Sequence, residues 1–183
     1  MSFLKLTLAI LLLLTACTHS TLSTSVDVEI SPQAHLLLEL PRKALWDTEL
    51  SQQMEIRYKD KVHQLVLLTG FNEKNIAVVA LTPSGIPLFE LTFTEDKQIK
   101  VTKHIPIESL SPEYVLADLQ LVYWPIEQLN KQLSEGISIS ENEKGERLIT
   151  QDKQPIIHIK KNEGNISYHH LIRHYQFTVS DIG

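Results

Sequence analysis

Hydrophobic and polar residues alternate with a period of two along most of the chain. The alternation is clear at Val26–Ile30 and returns in Met54–Tyr58 and Val62–Leu68. Successive side chains of an extended strand point to opposite faces of a sheet, so this period predicts strands with one buried face. Further runs of this kind are Ile76–Leu81, Pro87–Thr94, Gln98–Ile105, Ile137–Ser140, Leu148–Ile149, Pro155–Lys160 and Ser167–Val179. Turn residues separate the runs, as expected for an antiparallel meander.

Two stretches are less clear. Leu36–Leu40 is almost entirely apolar and ends at Pro41, so it is compatible with a buried strand or a short helix. Thr69–Asn75 contains Gly70 and is predicted as a turn.

The period changes at Ser111, which is followed by Pro112 and Glu113. Serine suits a helix N-cap, proline suits the first helical position, and glutamate complements the positive end of the helix dipole. Apolar residues in Tyr114–Tyr123 cover much of the helix circumference, so we expect this helix to be buried on more than one side.

A second helix is predicted directly after the first. Pro125 cannot continue the first helix but can begin another, in which Ile126, Leu129 and Leu133 share one face and Gly136 ends the helix. The two segments therefore form a kinked helical pair.

These elements predict an α+β, mainly β fold within one domain that spans residues 26–183. We expect a curled antiparallel sheet or incomplete barrel of about nine to eleven strands, with the kinked helical pair covering its open side.

The first 25 residues have the pattern of an export and anchoring signal. Lys5 precedes the apolar run Leu6–Leu14, which is too short to span a bilayer, and Thr15 and Ala16 then lead to Cys17. An apolar residue, two small residues and a cysteine form a lipobox. We expect a signal peptide over residues 1–16, and a lipidated Cys17 with a flexible leash over residues 17–25. An ordinary cleaved signal is the alternative.

Composition narrows the function classes. The net charge is −5 without a long block of like charge, which argues against nucleic acid as a partner. Cys17 is the one cysteine in the sequence, so neither a disulfide nor a cysteine-based catalytic or metal site is expected.

Residues with catalytic or metal-binding chemistry form no convincing set. His169, His170 and His174, with His158 on the preceding strand, are the best metal candidates, but His169 should face away from His170 and His174. Asp118 and Glu127 lie in the helical region and are expected to cap a helix or face solvent. We therefore expect no catalytic residues, no bound metal and no cofactor, and we do not expect an enzyme.

A curled sheet covered by helices can enclose an apolar cavity. An equally compatible interpretation is a solid core, because aromatic side chains dominate core packing. The residues that we predict to line the cavity are Phe89, Leu91, Phe93, Leu116, Leu119, Tyr123 and Trp124.

The stretch Leu116–Pro125, with Asp-Leu-Gln-Leu followed by Trp-Pro, is the most specific part of a family resemblance. Together with Thr82–Leu91 and Tyr175–Phe177 it resembles a family of outer-membrane lipoproteins of unknown function. Members of that family are often encoded with aryl polyene lipid enzymes and look like relatives of the lipoprotein carrier and receptor LolA and LolB.

The resemblance implies a LolA/LolB-like incomplete barrel whose cavity accepts acyl chains, and a periplasmic LolA-like carrier as a delivery partner. It also implies a membrane-facing turn at Ser84 and Ile86. Serine stands where the receptor has a protruding leucine, which favours a related carrier with another cargo. Thr18, rather than aspartate, follows Cys17, which favours the outer membrane.

These observations predict a lipid-anchored protein on the periplasmic face of the outer membrane. We expect it to bind an acyl or aryl polyene lipid, or a lipidated protein, in a hydrophobic cavity for transport or insertion. The alternative is a scaffolding lipoprotein that anchors protein partners at the membrane without a ligand.

Overall fold

A computed structural model describes residues 25–105 and 111–182 of the chain. One large antiparallel sheet dominates them. Twelve strands are described: β1 Asp27–Ser31, β2 Ala34–Leu37, β3 Thr48–Tyr58, β4 Lys61–Phe71, β5 Asn75–Leu81, β6 Pro87–Thr94, β7 Ile99–Lys103, β8 Ile137–Glu141, β9 Glu146–Gln151, β10 Gln154–Asn162, β11 Asn165–His170 and β12 Tyr175–Asp181. The helices are α1, Pro112–Tyr123, and α2, Ile126–Gln132, with a short 3₁₀ turn at Lys43–Leu45.

Ten strands form one sheet in the order β7-β6-β5-β4-β3-β12-β11-β10-β9-β8, and β1 and β2 pair separately. Among the described residues β7 and β8 are the two edges, so the sheet is not closed into a barrel. The predicted fold class, a mainly β open sheet with a helical pair, is confirmed.

The strand register places side chains of neighbouring strands side by side on the inner face of the sheet, which is the face toward the helices. Ile56 lies opposite Phe177, which lies opposite Tyr168, and Tyr168 lies opposite Ile159. Directly opposed residues share a face, so these side chains all point toward the helices. The buried core fills the space between this face, the helical pair and the β1–β2 hairpin.

The meander gives the molecule two ends. We call the end that carries the β3–β4, β5–β6, β9–β10 and β11–β12 turns the upper end, and the opposite end the lower end. Helix α1 runs from upper to lower: the Arg173 guanidinium in the β11–β12 turn lies 3.5 Å from the Tyr114 ring centre, and Tyr123 reaches Gln52.

Several local predictions need correction. Strand β4 continues through Gly70 to Phe71, so the predicted turn begins later; Phe71 is buried against Trp124, and this packing keeps the strand extended. The ambiguous apolar stretch begins as strand β2 and then runs extended along the helical pair.

The helix ends also differ from the prediction. Ser111 precedes α1 but makes no capping bond to the main chain, and its hydroxyl instead donates to Glu113 Oε2 at 2.6 Å. Helix α2 ends at Gln132 rather than at Gly136, because Leu133 leaves the helix to form a bridge with Leu36.

Candidate functional site: an apolar cavity with a buried carboxyl group

An apolar cavity of about 120 Å³ lies between α1 and the inner face of the sheet. Strands β3, β4, β11 and β12 form most of its floor, and α1 forms its roof. The lining residues are Gln52, Met54, Ile56, Leu65, Leu67, Thr69, Val78, Phe89, Val115, Asp118, Leu119, Val122, Tyr123, Ile166, Phe177 and Val179.

The residues predicted to line a cavity divide into two groups. Phe89, Leu119 and Tyr123 line it. The other four are not among its lining residues and are buried in the core instead: Leu91, Phe93, Leu116 and Trp124. Cavity and solid core, which were alternatives from the sequence, therefore both occur in the described structure.

The cover over the cavity thins toward the upper end. Along the inner face of β3, Gln52 is buried, Met54 and Ile56 are half-buried, and Tyr58 is 40% exposed. Along β4, Thr69 is buried and Leu65 is half-buried. The β3–β4 hairpin is thus less covered toward the upper end than toward the lower end.

Asp118 is the one carboxyl group among the lining residues. Tyr168 on β11 donates its hydroxyl to Asp118 Oδ1, and Tyr175 on β12 donates to Oδ2, each at 2.5 Å. Burial raises the pKa of Asp118 from 3.8 to about 6, although both phenols and the positive charge of Arg173 act in the opposite direction. Burial also raises the pKa values of Tyr168 and Tyr175 well above 10, so both remain hydrogen-bond donors.

His170 and Arg173 lie close to Asp118 and its two tyrosine partners. Burial, together with the positive charge of Arg173, lowers the pKa of His170 to about 4, so its imidazole is neutral near pH 7. The His170 Nδ1 atom accepts a bond from the Arg173 main-chain N–H at 3.3 Å. The Arg173 guanidinium donates to the Glu29 carbonyl and stacks on Tyr114, which ties the β1–β2 hairpin and α1 to the sheet.

The lower end of the cavity has a polar boundary that ends on a carboxylate. Tyr123 donates its hydroxyl to Gln52 Oε1 at 2.8 Å, and Gln52 Nε2 donates to Asp181 Oδ1 at 2.7 Å. Burial raises the pKa of Tyr123.

Arg147 on β9 holds the lower end of α1. Its Nη1 atom donates to the carbonyls of Leu121, Val122 and Trp124 at 2.9, 3.0 and 2.8 Å, and its Nε atom donates to Glu141. The last carbonyls of a helix lack partners within the helix and carry its negative dipole end, so a buried guanidinium stabilises them on both counts.

Three buried glutamines bind the helical pair to the segment that follows β2. Gln132 Nε2 donates to the Leu37 carbonyl at 2.7 Å, and Gln128 Nε2 donates to the Leu40 carbonyl at 3.1 Å. Gln120 Oε1 accepts from Gln132 and from the Glu39 N–H. These bonds hold the helices between the sheet and the N-terminal segment.

The upper end carries most of the large hydrophobic side chains that are exposed in the described structure. We call the six at the upper end the apolar rim: Tyr58, Val62, Ile86, Ile105, Tyr114 and Ile172. They come from the β3–β4, β5–β6 and β11–β12 turns, the exit of β7 and the first turn of α1. The apolar rim therefore lies at the end where the cover over the cavity is thinnest.

The predicted membrane-facing turn belongs to the upper end. Ser84 and Ile86 lie in the β5–β6 turn, where Thr82 bonds to both: its hydroxyl is 2.9 Å from the Ser84 hydroxyl and accepts from the Ile86 N–H. Gly85 has a φ of +85°, which disfavours a side chain there. The Ile86 side chain is 58% exposed, the largest value in the apolar rim.

The histidines do not converge. His158 lies opposite His169 on the outer face of the sheet, His170 points inward, and His174 lies in a turn with positive φ rather than on the strand face predicted for it. Within residues 25–105 and 111–182, no group of three or more potential metal-ligating side chains is found.

The sequence analysis did not predict the buried environments of Asp118 and Arg147. Asp118 was expected to cap a helix or face solvent, but it faces the sheet. The available signal for Asp118 was its position in a helix with apolar residues around most of its circumference, which indicates burial. For Arg147 the available signal was its spacing: it lies two positions before the buried Ile149 on the same strand, so both side chains point to the same face of the sheet.

Cys17, the expected signal peptide and nearly all of the leash lie outside the described residues. Within the described residues, no helix has the length and apolar content that a membrane-crossing helix requires.

The fold and the site define a class: an open antiparallel sheet covered by a helical pair, with an apolar cavity between the two layers. A family model described as "Protein of unknown function (DUF3261)" matches residues 49–183, and the chain belongs to that family. The match covers β3 to β12 and both helices but not the β1–β2 hairpin. No curated protein matches the chain.

Proposed function

We propose that this protein is a non-enzymatic, lipid-anchored binder of apolar chains that faces the periplasm from the outer membrane. Its cargo is an acyl or aryl polyene lipid, or a lipidated protein, held between α1 and the sheet for transport or insertion. The observation that carries the proposal is the apolar cavity whose cover thins toward the apolar rim.

The size of the cavity determines how a chain would enter. Ligand pockets usually measure about 300–1,000 Å³, whereas this cavity measures about 120 Å³. A long chain therefore needs α1 and the β3–β4 hairpin to separate. The half-buried side chains of Met54, Ile56 and Leu65 at their junction favour movement there.

The upper end has the composition of a membrane-contacting surface. Exposed apolar side chains suit the boundary between headgroups and acyl chains, and tyrosine is enriched at that depth. Exposed Lys59 and Lys61 lie between Tyr58 and Val62 in the β3–β4 turn, on either side of Asp60, where they can approach anionic headgroups. A lipid on Cys17 would hold this surface close to the bilayer.

A scaffold that holds a protein partner without any ligand is the second candidate. The outer face of the sheet supports it, because Leu68 is 39% exposed and lies opposite the half-buried Val79. These two apolar side chains on the outer face can contact a partner protein without any involvement of the cavity.

Filling the cavity distinguishes the two candidates. We expect Leu119→Trp to place an indole in the cavity and to abolish lipid co-purification with the full chain, as measured by native mass spectrometry. Leu68→Trp adds the same group on the outer face and should leave co-purification unchanged. Equal lipid content in both variants, or lipid-free wild-type protein, would contradict the proposal.

A further inference from the structure

We propose that Asp118 with Tyr168 and Tyr175 forms a headgroup site, which selects chains ending in a cationic or neutral hydrogen-bond donor over chains ending in an anion. The inference rests on the proposed function and specifies the class of ligand that the cavity takes.

The first argument is the unused bonding capacity of the carboxylate. An ionised carboxylate accepts about four hydrogen bonds, two per oxygen. Each Asp118 oxygen receives one bond, from Tyr168 or from Tyr175. Asp118 also lines the cavity, so a ligand atom there can reach the remaining acceptor positions.

The second argument is the missing counter-ion. The five ion pairs found among the described residues do not include Asp118. The positive charge of Arg173 acts on Asp118, but its guanidinium bonds to the Glu29 carbonyl and stacks on the Tyr114 ring rather than pairing with the carboxylate. An ammonium head at Asp118 would add a cation in direct contact with the carboxylate.

The third argument concerns the exclusion of anionic headgroups. Asp118 and Tyr123 are the two titratable side chains among the lining residues, and neither is a cation. A carboxylate, sulfonate or phosphate head would therefore meet a like charge in a desolvated site, which is strongly unfavourable. A hydroxyl or amide head can donate to Asp118 without that repulsion.

Among the groups that face the headgroup site, Asp118 is the one whose charge changes near neutral pH. Tyr168 and Tyr175 remain neutral donors, His170 is neutral near pH 7, and the Arg173 guanidinium is bonded elsewhere. The selectivity of the headgroup site should therefore follow the ionisation of Asp118.

The test uses three ligands with the same twelve-carbon, mid-chain diazirine tail and an amine, an alcohol or a sulfonate head. The full chain is reconstituted in phosphatidylcholine nanodiscs, and photolabelling of cavity peptides is quantified by mass spectrometry. We expect the amine and the alcohol to label wild-type protein about tenfold more than the sulfonate does at pH 8. The Asp118→Asn variant, which keeps the shape, should lose most of that preference.

Two controls keep the outcomes distinct. Glu127→Gln removes one negative charge from an exposed position of α2 and should retain the wild-type preference. Wild-type protein at pH 5 should resemble Asp118→Asn without any substitution, since the amine and the sulfonate keep their charges while Asp118 becomes protonated.

Equal labelling of the cavity by all three heads would overturn the headgroup site but leave the proposed function standing. If none of the three ligands labels the cavity, both the headgroup site and the proposed function would be overturned.

Discussion

Two charged side chains between α1 and the sheet, Arg147 and Asp118, differ in how completely they are compensated. Arg147, at the lower end of the helix, donates to three carbonyls and to a carboxylate. Asp118, nearer the upper end, accepts two phenol bonds and takes part in none of the ion pairs found in the described structure. The charge with several bonded partners fixes the lower end of α1, whereas the less compensated carboxyl group borders the apolar cavity.

We interpret this difference as a structural role of Arg147 and, under the proposed function, a binding role of Asp118. A buried charge without sufficient partners is costly, and a protein usually avoids it or neutralises it. The persistence of an under-compensated carboxyl group beside an apolar cavity is consistent with a partner that arrives with the ligand. Perturbed carboxyl groups in clefts indicate functional sites for the same reason.

The largest effect is expected for Arg147→Met. The substitution retains the bulk of the side chain but leaves three buried helix carbonyls without their donor, and it should lower the unfolding free energy by about 3–5 kcal/mol. Urea denaturation measures the loss. Arg57→Ala, which breaks an exposed ion pair with Glu55, is the control and should cause little change. A small effect of Arg147→Met would remove the distinction between the two charges.

The next effect concerns pH. The Asp118 pKa is raised from 3.8 to about 6, so the folded state holds this proton more tightly than the unfolded state. Stability from this group is greatest below pH 3.8 and falls by about 3 kcal/mol as the pH rises through 6. The His170 pKa is lowered from 6.5 to about 4, so its contribution is present above pH 6.5 and about 3 kcal/mol is lost as the pH falls through 4.

The two contributions oppose each other in the wild type, and single substitutions should reveal them. Relative to wild type, Asp118→Asn should lose about 2–3 kcal/mol between pH 7 and pH 4, whereas His170→Asn should gain about as much. Urea denaturation at several pH values provides the comparison. Parallel pH profiles for all three proteins would contradict the assigned burial of both groups.

The smallest effect is expected for Tyr175→Phe. Loss of one hydrogen bond to a charged acceptor should cost about 1.5–3 kcal/mol at pH 8. It should also raise the pKa of Asp118 further, since that bond lowers the pKa. Carbon-13 NMR titration of the Asp118 carboxyl group measures the change. Tyr114→Phe keeps the ring that stacks on Arg173 and should leave the titration unchanged.

The repetitive parts of the fold were predictable from the sequence, because they depend on local periodicity. Strand β6 was predicted with its observed limits, and Pro112 and Pro125 marked the beginning of α1 and the break before α2. Strand β4 was not predicted through Phe71, because that extension depends on a contact with Trp124 from a distant part of the chain.

The site was predictable only in part, for a related physical reason. Periodicity identifies which face of a strand is buried but not where a gap between the layers remains. Phe89 and Phe93 therefore look equivalent in sequence although Phe89 alone lines the cavity. The environment of Asp118 depends on tyrosines that lie 50 and 57 positions later in the chain.

Binding of an apolar chain between α1 and the sheet is the central claim, and methyl NMR tests it most directly. Carbon-13-labelled dodecanol is added to the full chain in nanodiscs, and intermolecular nuclear Overhauser effects are recorded to assigned methyl groups. We expect effects to Leu67, Val78 and Leu119, which line the cavity, and none to Val66, Leu68 and Val79 on the outer face. Effects confined to the outer-face methyl groups, or to the apolar rim, would contradict the account.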